Sequence, residues 1–186
     1  MTFRVLVVAL LLSVAAGLSA IAQQSIPSRQ PDVVFVPTPS DVVDAMLRLA
    51  KVTSADVVYD LGSGDGRIVI AAAKMYGARG LGIDIDPERT REATATARIA
   101  GVSDKVAFRT QDLFTADISA ATVVTVYLSP AINARLAGKL MKELKPGTRV
   151  VSHAFGLGSW TPRERIVVAD RPIFLWIVAP EAPGKN

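Results

Sequence analysis

The sequence predicts an α/β domain built on a mostly parallel sheet, and three observations carry that reading. Asp56 to Arg67, D-V-V-Y-D-L-G-S-G-D-G-R, runs from strand-favouring residues through the acid Asp60 into a turn holding Gly62, Gly64 and Gly66. Arg67 to Met75 follows without proline and is rich in Ile, Val and Ala, so the turn opens into a buried helix. Two further acids then close two further strand-like runs: Asp84 ends Arg79 to Ile85, 22 residues after Gly62, and Asp112 follows Lys105 to Arg109. A strand, a glycine turn and a helix start make a nucleotide-type site at the carboxyl edge of such a sheet, where an acid at the end of the second strand can accept both ribose hydroxyls.

Residues 1–22 are expected to lie outside the domain. Met1 to Arg4 is a short basic start, Val5 to Leu18 is almost wholly apolar, and Ala20-Ile21-Ala22 offers a small-residue cleavage site before Gln23. This pattern reads as a secretory signal peptide. An uncleaved membrane anchor is the competing reading, although an apolar core of about 14 residues falls short of the roughly 20 that span a bilayer. With no cysteine in the chain, a lipoprotein anchor is excluded. Cleavage would remove Arg4 and lower the formal charge from +4 to +3, leaving 164 of the 186 residues.

Gln23 to Phe35, crossed by Pro27 and Pro31, reads as a flexible linker, and the domain is expected over 36–182. Thr38 as N-cap, Pro39 in the first turn and Asp41 in the capping-box slot predict a helix running to about Lys51, with Val42, Val43, Met46 and Leu47 inward. After the glycine turn, its helix and the second strand, Asp86-Pro87-Glu88 caps a helix that stops at Gly101. Thr122 to Leu128 reads as the fourth strand. Ser129-Pro130 then opens a helix carrying Ile132, Leu136, Leu140 and Leu144 at intervals of four. Pro146-Gly147 turns the chain into a fifth strand, Thr148 to Phe155, and Ile166 to Ala169 with Ile173 to Val178 form a closing pair.

The glycine spacing narrows the ligand. A dinucleotide turn requires G-x-G-x-x-G, whereas here the third glycine comes one residue early and an acid precedes the first by two positions. No G-x-x-x-x-G-K-[ST] is present, which removes the P-loop reading. D-x-G-x-G-x-G resembles motif I of the class I S-adenosylmethionine (SAM) methyltransferases. The likeness extends to V-P-T-P with V-V-x-x-M-L (Val36 to Leu47), G-I-D-I-D-P-E-R (Gly82 to Arg89), V-Y-L-S-P (Val126 to Pro130) and R-V-V-S-H (Arg149 to His153). In this form the chain is similar to mitochondrial protein-lysine methyltransferases that modify a membrane-protein lysine.

The resemblance implies a three-layer, Rossmann-like sheet of seven strands, mostly parallel with one antiparallel strand near an edge. It implies SAM as cofactor, held by Thr38, Asp60, Gly62, Ser63, Gly64, Gly66, Asp84, Ile85, Asp112 and Leu113, with Asp112 beside the adenine amino group. Thr38 has two readings, helix capping or contact with the SAM carboxylate. Acceptor contacts are expected at the ends of the fourth and fifth strands, from Tyr127, Ser129 and His153. His153, the single histidine, is a general base or a buried, hydrogen-bonded ring, and Tyr127 is an acceptor contact or core. Trp160 and Trp176 form a lid or pack within the strands.

Other chemistries are set aside on composition. One histidine and no cysteine rule out the usual imidazole and thiolate metal sites. No run of lysine or arginine interleaved with aromatics supports a nucleic-acid partner. The strand-four motif also lacks the acid-Pro-Pro-aromatic signature of amide and base methyltransferases. Three functions remain: a protein-lysine methyltransferase acting at the membrane or on exported proteins, a small-molecule methyltransferase, and an exported, non-catalytic nucleoside-binding module.

Overall fold

The computed structural model describes residues 33–180; the signal-peptide reading, most of the linker and the last residues of the expected domain lie outside that range. Val57–Leu61 (β1) is buried on both faces, as a central parallel strand must be, and pairs with Arg79–Asp84 (β2) on one side and Val123–Val126 (β4) on the other. Val106–Thr110 (β3) continues the sheet beyond β2, and Arg149–His153 (β5) continues it beyond β4. The order β3-β2-β1-β4-β5-β7-β6 ends with Arg171–Ile177 (β7) antiparallel between β5 and Glu164–Val168 (β6). The seven-strand sheet with one antiparallel strand next to its edge is thus the expected one.

Ser40–Leu49 (α1), Arg67–Tyr76 (α2) and Pro87–Ile99 (α3) cover one face of the sheet, where Met46, Leu47, Val69 and Ala97 join one core. Pro130–Glu143 (α4) and the segment around Ile118 cover the other, with Leu136, Leu140 and Trp176 in the second core. Between β1 and β4 the chain order reverses, which opens a crevice beyond the carboxyl ends of these two strands.

The helix starts follow the sequence at α3 and α4. Asp86 Oδ1 accepts from Glu88 N at 2.7 Å and Ser129 Oγ from Ile132 N at 3.4 Å, each cap followed by proline. The start of α1 differs from expectation. Pro39 holds the cap position with no side-chain cap, and the Thr38 hydroxyl is engaged elsewhere, as is Asp41, which accepts from the next amide, Val42 N. β4 is also shorter than expected, because Tyr127 and Leu128 leave the strand to line the crevice. Trp176 is buried and its Nε1 donates to Trp160 O at 2.9 Å, so both tryptophans pack in the core and neither lines the crevice. Among the described residues, no helix is long and apolar enough to cross a membrane.

Candidate active site

The glycine turn after β1 is folded against the end of β2. Gly62 N and Ser63 N both donate to Ile83 O, at 2.8 and 3.0 Å, and Gly64 N donates to Asp84 Oδ2 at 2.8 Å. Asp86 N binds the other oxygen, Asp84 Oδ1, at 2.9 Å. The carboxylate is therefore fixed in orientation by two backbone amides while retaining acceptor capacity on each oxygen. Gly66 is needed for packing: its φ is +78°, and a Cβ there would sit 2.5 Å from the Phe108 ring and 2.9 Å from Ala93. At Gly64, a Cβ would enter the ring of Phe35.

The crevice encloses about 1020 Å³ of empty space, its open mouth included. Its walls contain nine of the residues singled out in the sequence: Thr38, Asp60, Gly62, Ser63, Asp84, Ile85, Asp112, Leu113 and Tyr127. The other four stand outside them. Gly64 and Gly66 shape the turn, Ser129 caps α4, and His153 lies behind the wall, 2 % exposed.

Asp60 is the buried acid of the site. It is 3 % exposed and accepts from Thr125 Oγ1 at 2.7 Å. Burial pushes its carboxyl up to about 7; the Thr125 hydrogen bond opposes this, and the negative charges of Asp84 and Asp65 add to it. Ser63 Oγ is also buried and has no hydrogen-bond partner among the described residues. Asp112 Oδ1 accepts from Phe114 N at 2.9 Å, which orients the acid beyond β3.

One wall comes from residues 33–38, including three, Val33, Val34 and Phe35, that were expected to belong to a linker. Val33 packs on the second core, and Phe35 covers Gly64 under the Arg89 guanidinium, 5.1 Å from the ring centroid. Arg67 ties this strap down, donating from Nη1 to Thr38 O at 2.9 Å while its Nε donates to Asp65 Oδ1 at 2.9 Å. Burial disfavours the Asp65 charge, but the hydrogen bonds and charge of Arg67 prevail and hold its carboxyl below the ordinary range. Phe35, Asp65, Arg67 and Arg89 had no role in the sequence reading. Asp65 and Arg67 stood inside the D-L-G-S-G-D-G-R run, whereas nothing local marked Phe35.

The site fits SAM. A fixed carboxylate for a ribose, a buried acid, an unsatisfied buried hydroxyl and an acid with flanking apolar residues line one crevice beside bare glycine backbone. No group of three or more metal-binding side chains occurs among the described residues.

A sequence model of the ANTKMT methyltransferase domain matches residues 60–164, from the acid of β1 to the start of β6. The chain belongs to the ANTKMT methyltransferase family. A protein-lysine N-methyltransferase of Saccharolobus islandicus (strain REY15A) is 47 % identical over 153 residues, 80 % of this chain and 95 % of that protein. The adenine nucleotide translocase lysine N-methyltransferase of Mus musculus is 35 % identical over 70 % of this chain. The chain spans 56 % of that mouse protein's length, about half, so the comparison with it is partial. Among solved structures, an RNA methyltransferase from Salinibacter ruber in complex with S-adenosyl-L-homocysteine superposes with a TM-score of 0.78. It is 53 % identical, and the match covers 80 % of this chain and 97 % of that one. This ANTKMT-family chain is a SAM-dependent methyltransferase, and SAM is its cofactor.

Proposed function

We propose that the chain methylates lysine amines of proteins. The observation that carries this reading is the 47 % identity to a protein-lysine N-methyltransferase across 95 % of that protein's length. The crevice supports it, with Tyr127 in the wall after β4 and Asp112 in the wall after β3, β1 and β2 lying between those strands.

In this reading Asp112, Leu113 and Phe114 hold the adenine, Asp84 and Ile85 the ribose, and Gly62, Ser63 and Gly64 present backbone along the nucleoside. Asp60 pairs with the cationic amine of the cofactor's amino-acid end, and Thr38 stands near its carboxylate. Bound SAM supplies a methyl group on a sulfonium, open to in-line displacement. The protein's work is to align the acceptor and exclude water, an effect that reaches on the order of 7–11 kcal/mol in well-aligned systems. The acceptor amine must also arrive without its proton, and a desolvated site favours the neutral form. Tyr127 and the apolar Leu128 and Ile132 give the crevice that character. The apolar leader over residues 1–22 supports export, with retention as an anchor as the alternative, so envelope or exported proteins are the acceptors to search first.

The name of the Salinibacter structure favours a second reading, methylation of RNA. Incubating the full chain and tritiated SAM with a lysate of its host separates the two. Label that protease releases, and that hydrolyses to methyl-lysine, is expected. Label released by ribonuclease instead would transfer the assignment to RNA.

A further inference from the structure

Tyr127 follows β4 and lines the crevice; His153 ends β5 and does not. Their rings are in contact, with centroids 4.0 Å apart and planes inclined at 37°. Phe155 stacks on the same tyrosine at 6.5 Å and 20°. Between the two, Ala154 takes φ +67°, a left-handed conformation that alanine rarely adopts. Backbone hydrogen bonds from Ala154 N to Pro172 O and from Phe155 N to His153 O, both 2.8 Å, hold that turn. On its other side the imidazole reaches the strap: Thr38 Oγ1 lies 3.3 Å from His153 Nδ1. The contact joins residues 115 positions apart.

We propose that His153 is a positioning residue for the acceptor end of the crevice. It fixes the Tyr127 ring in the wall and ties it to Thr38, without touching the acceptor itself. This rests on the methyl-transfer reading above.

A neutral imidazole suits such a role. Burial lowers the His153 pKa from its ordinary value, and the positive charge of Arg171 on β7 lowers it further. The other groups facing the ring are the Tyr127 phenol after β4 and the Thr38 hydroxyl before α1. No carboxylate is among these contacts to sustain an imidazolium.

The test uses the full chain with tritiated SAM and poly-L-lysine, comparing wild type, H153A, H153N, Y127L and H153A/Y127L. In H153A, kcat/KM for the acceptor should fall by less than about tenfold, below the usual contribution of a general base. S-adenosylhomocysteine affinity should change by no more than about twofold, because His153 stands outside the wall. H153N, whose amide can meet the Thr38 hydroxyl, should recover most of the loss. Since the tie from His153 to Thr38 serves to hold Tyr127, adding H153A to Y127L should produce no further loss. Between pH 6 and 8 the kcat/KM profile should keep its shape in H153A.

Additive losses in the double variant, or a fall of several orders of magnitude with a lost pH limb, would overturn the proposal. Should wild type label no poly-L-lysine, the lysine reading fails for this acceptor, and the positioning role is then judged without turnover. The Cε1–H resonance of the single histidine should move in both Y127L and T38V, and an unmoved resonance would overturn it.

Discussion

Asp60→Asn removes one charge from the buried end of β1 while keeping the shape of the side chain and an acceptor for Thr125 Oγ1. The carboxyl stands at about 7 in the folded chain against an ordinary 3.8. Below 3.8 it is protonated in both the folded and unfolded chain. Between 3.8 and 7 the folded chain keeps a proton that the unfolded chain releases, so stability falls as pH rises through that window and is level above it. At about 1.4 kcal/mol per pH unit, the full loss is about 4 kcal/mol. Asparagine does not titrate, so D60N should be spared this loss. From pH 5 to pH 8 the stability gap between D60N and wild type should therefore shift in favour of the variant by about 3 kcal/mol. Using the shift cancels any constant cost of burying the amide. Urea unfolding of the unliganded full chain at the two pH values measures it. A gap that stays constant, or moves against D60N, would refute burial of the Asp60 carboxylate as the source of its raised pKa. With Asp60 paired to the cofactor's amine as proposed, affinity of the wild type for the cationic SAM should weaken as pH falls below about 7, by up to about tenfold per unit through this group. D60N should bind weakly at pH 8 and lose that dependence.

Three further outcomes are expected. Asp84→Ala should weaken S-adenosylhomocysteine binding by at least about tenfold, because a hydrogen bond to a charged group contributes about 1.5–3 kcal/mol, while leaving the fold in place; calorimetric titration showing unchanged affinity would remove Asp84 from the site. Gly66→Ala should lower stability by roughly 2 kcal/mol or more, from the left-handed backbone and the overlap with Phe108 and Ala93, and a melting temperature equal to wild type would contradict the packing role. N-terminal sequencing of the protein recovered from its host is expected to begin at Gln23; an intact Met1 would support the anchor reading.

The parts of this protein that are legible in its sequence are those whose cause is local. Val57 to Gly66 must be a strand and a tight turn, because β-branched residues favour the pleat and only glycine takes φ near +80° without strain at Gly62 and Gly66. Asp84 and Asp112 follow, because each ends a strand of a parallel sheet whose right-handed crossovers bring successive carboxyl ends to one edge. The strap and the wall behind Tyr127 have no such local cause. Thr38 has the sequence of a helix cap, yet a histidine 115 positions away takes its hydroxyl, because β5 and the start of α1 meet at the crevice. Phe35 reads as part of a linker until the bare face of Gly64 provides its seat. Arg67 belongs to the glycine motif in sequence and to the strap in space, through the Thr38 carbonyl. Sequence alone determined the sheet, the cofactor and the three acids Asp60, Asp84 and Asp112 that line the crevice, since these depend on neighbours in the chain. Tertiary structure alone decided that His153 stands behind the wall and Tyr127 in it, since burial is set by what the rest of the chain packs against each ring.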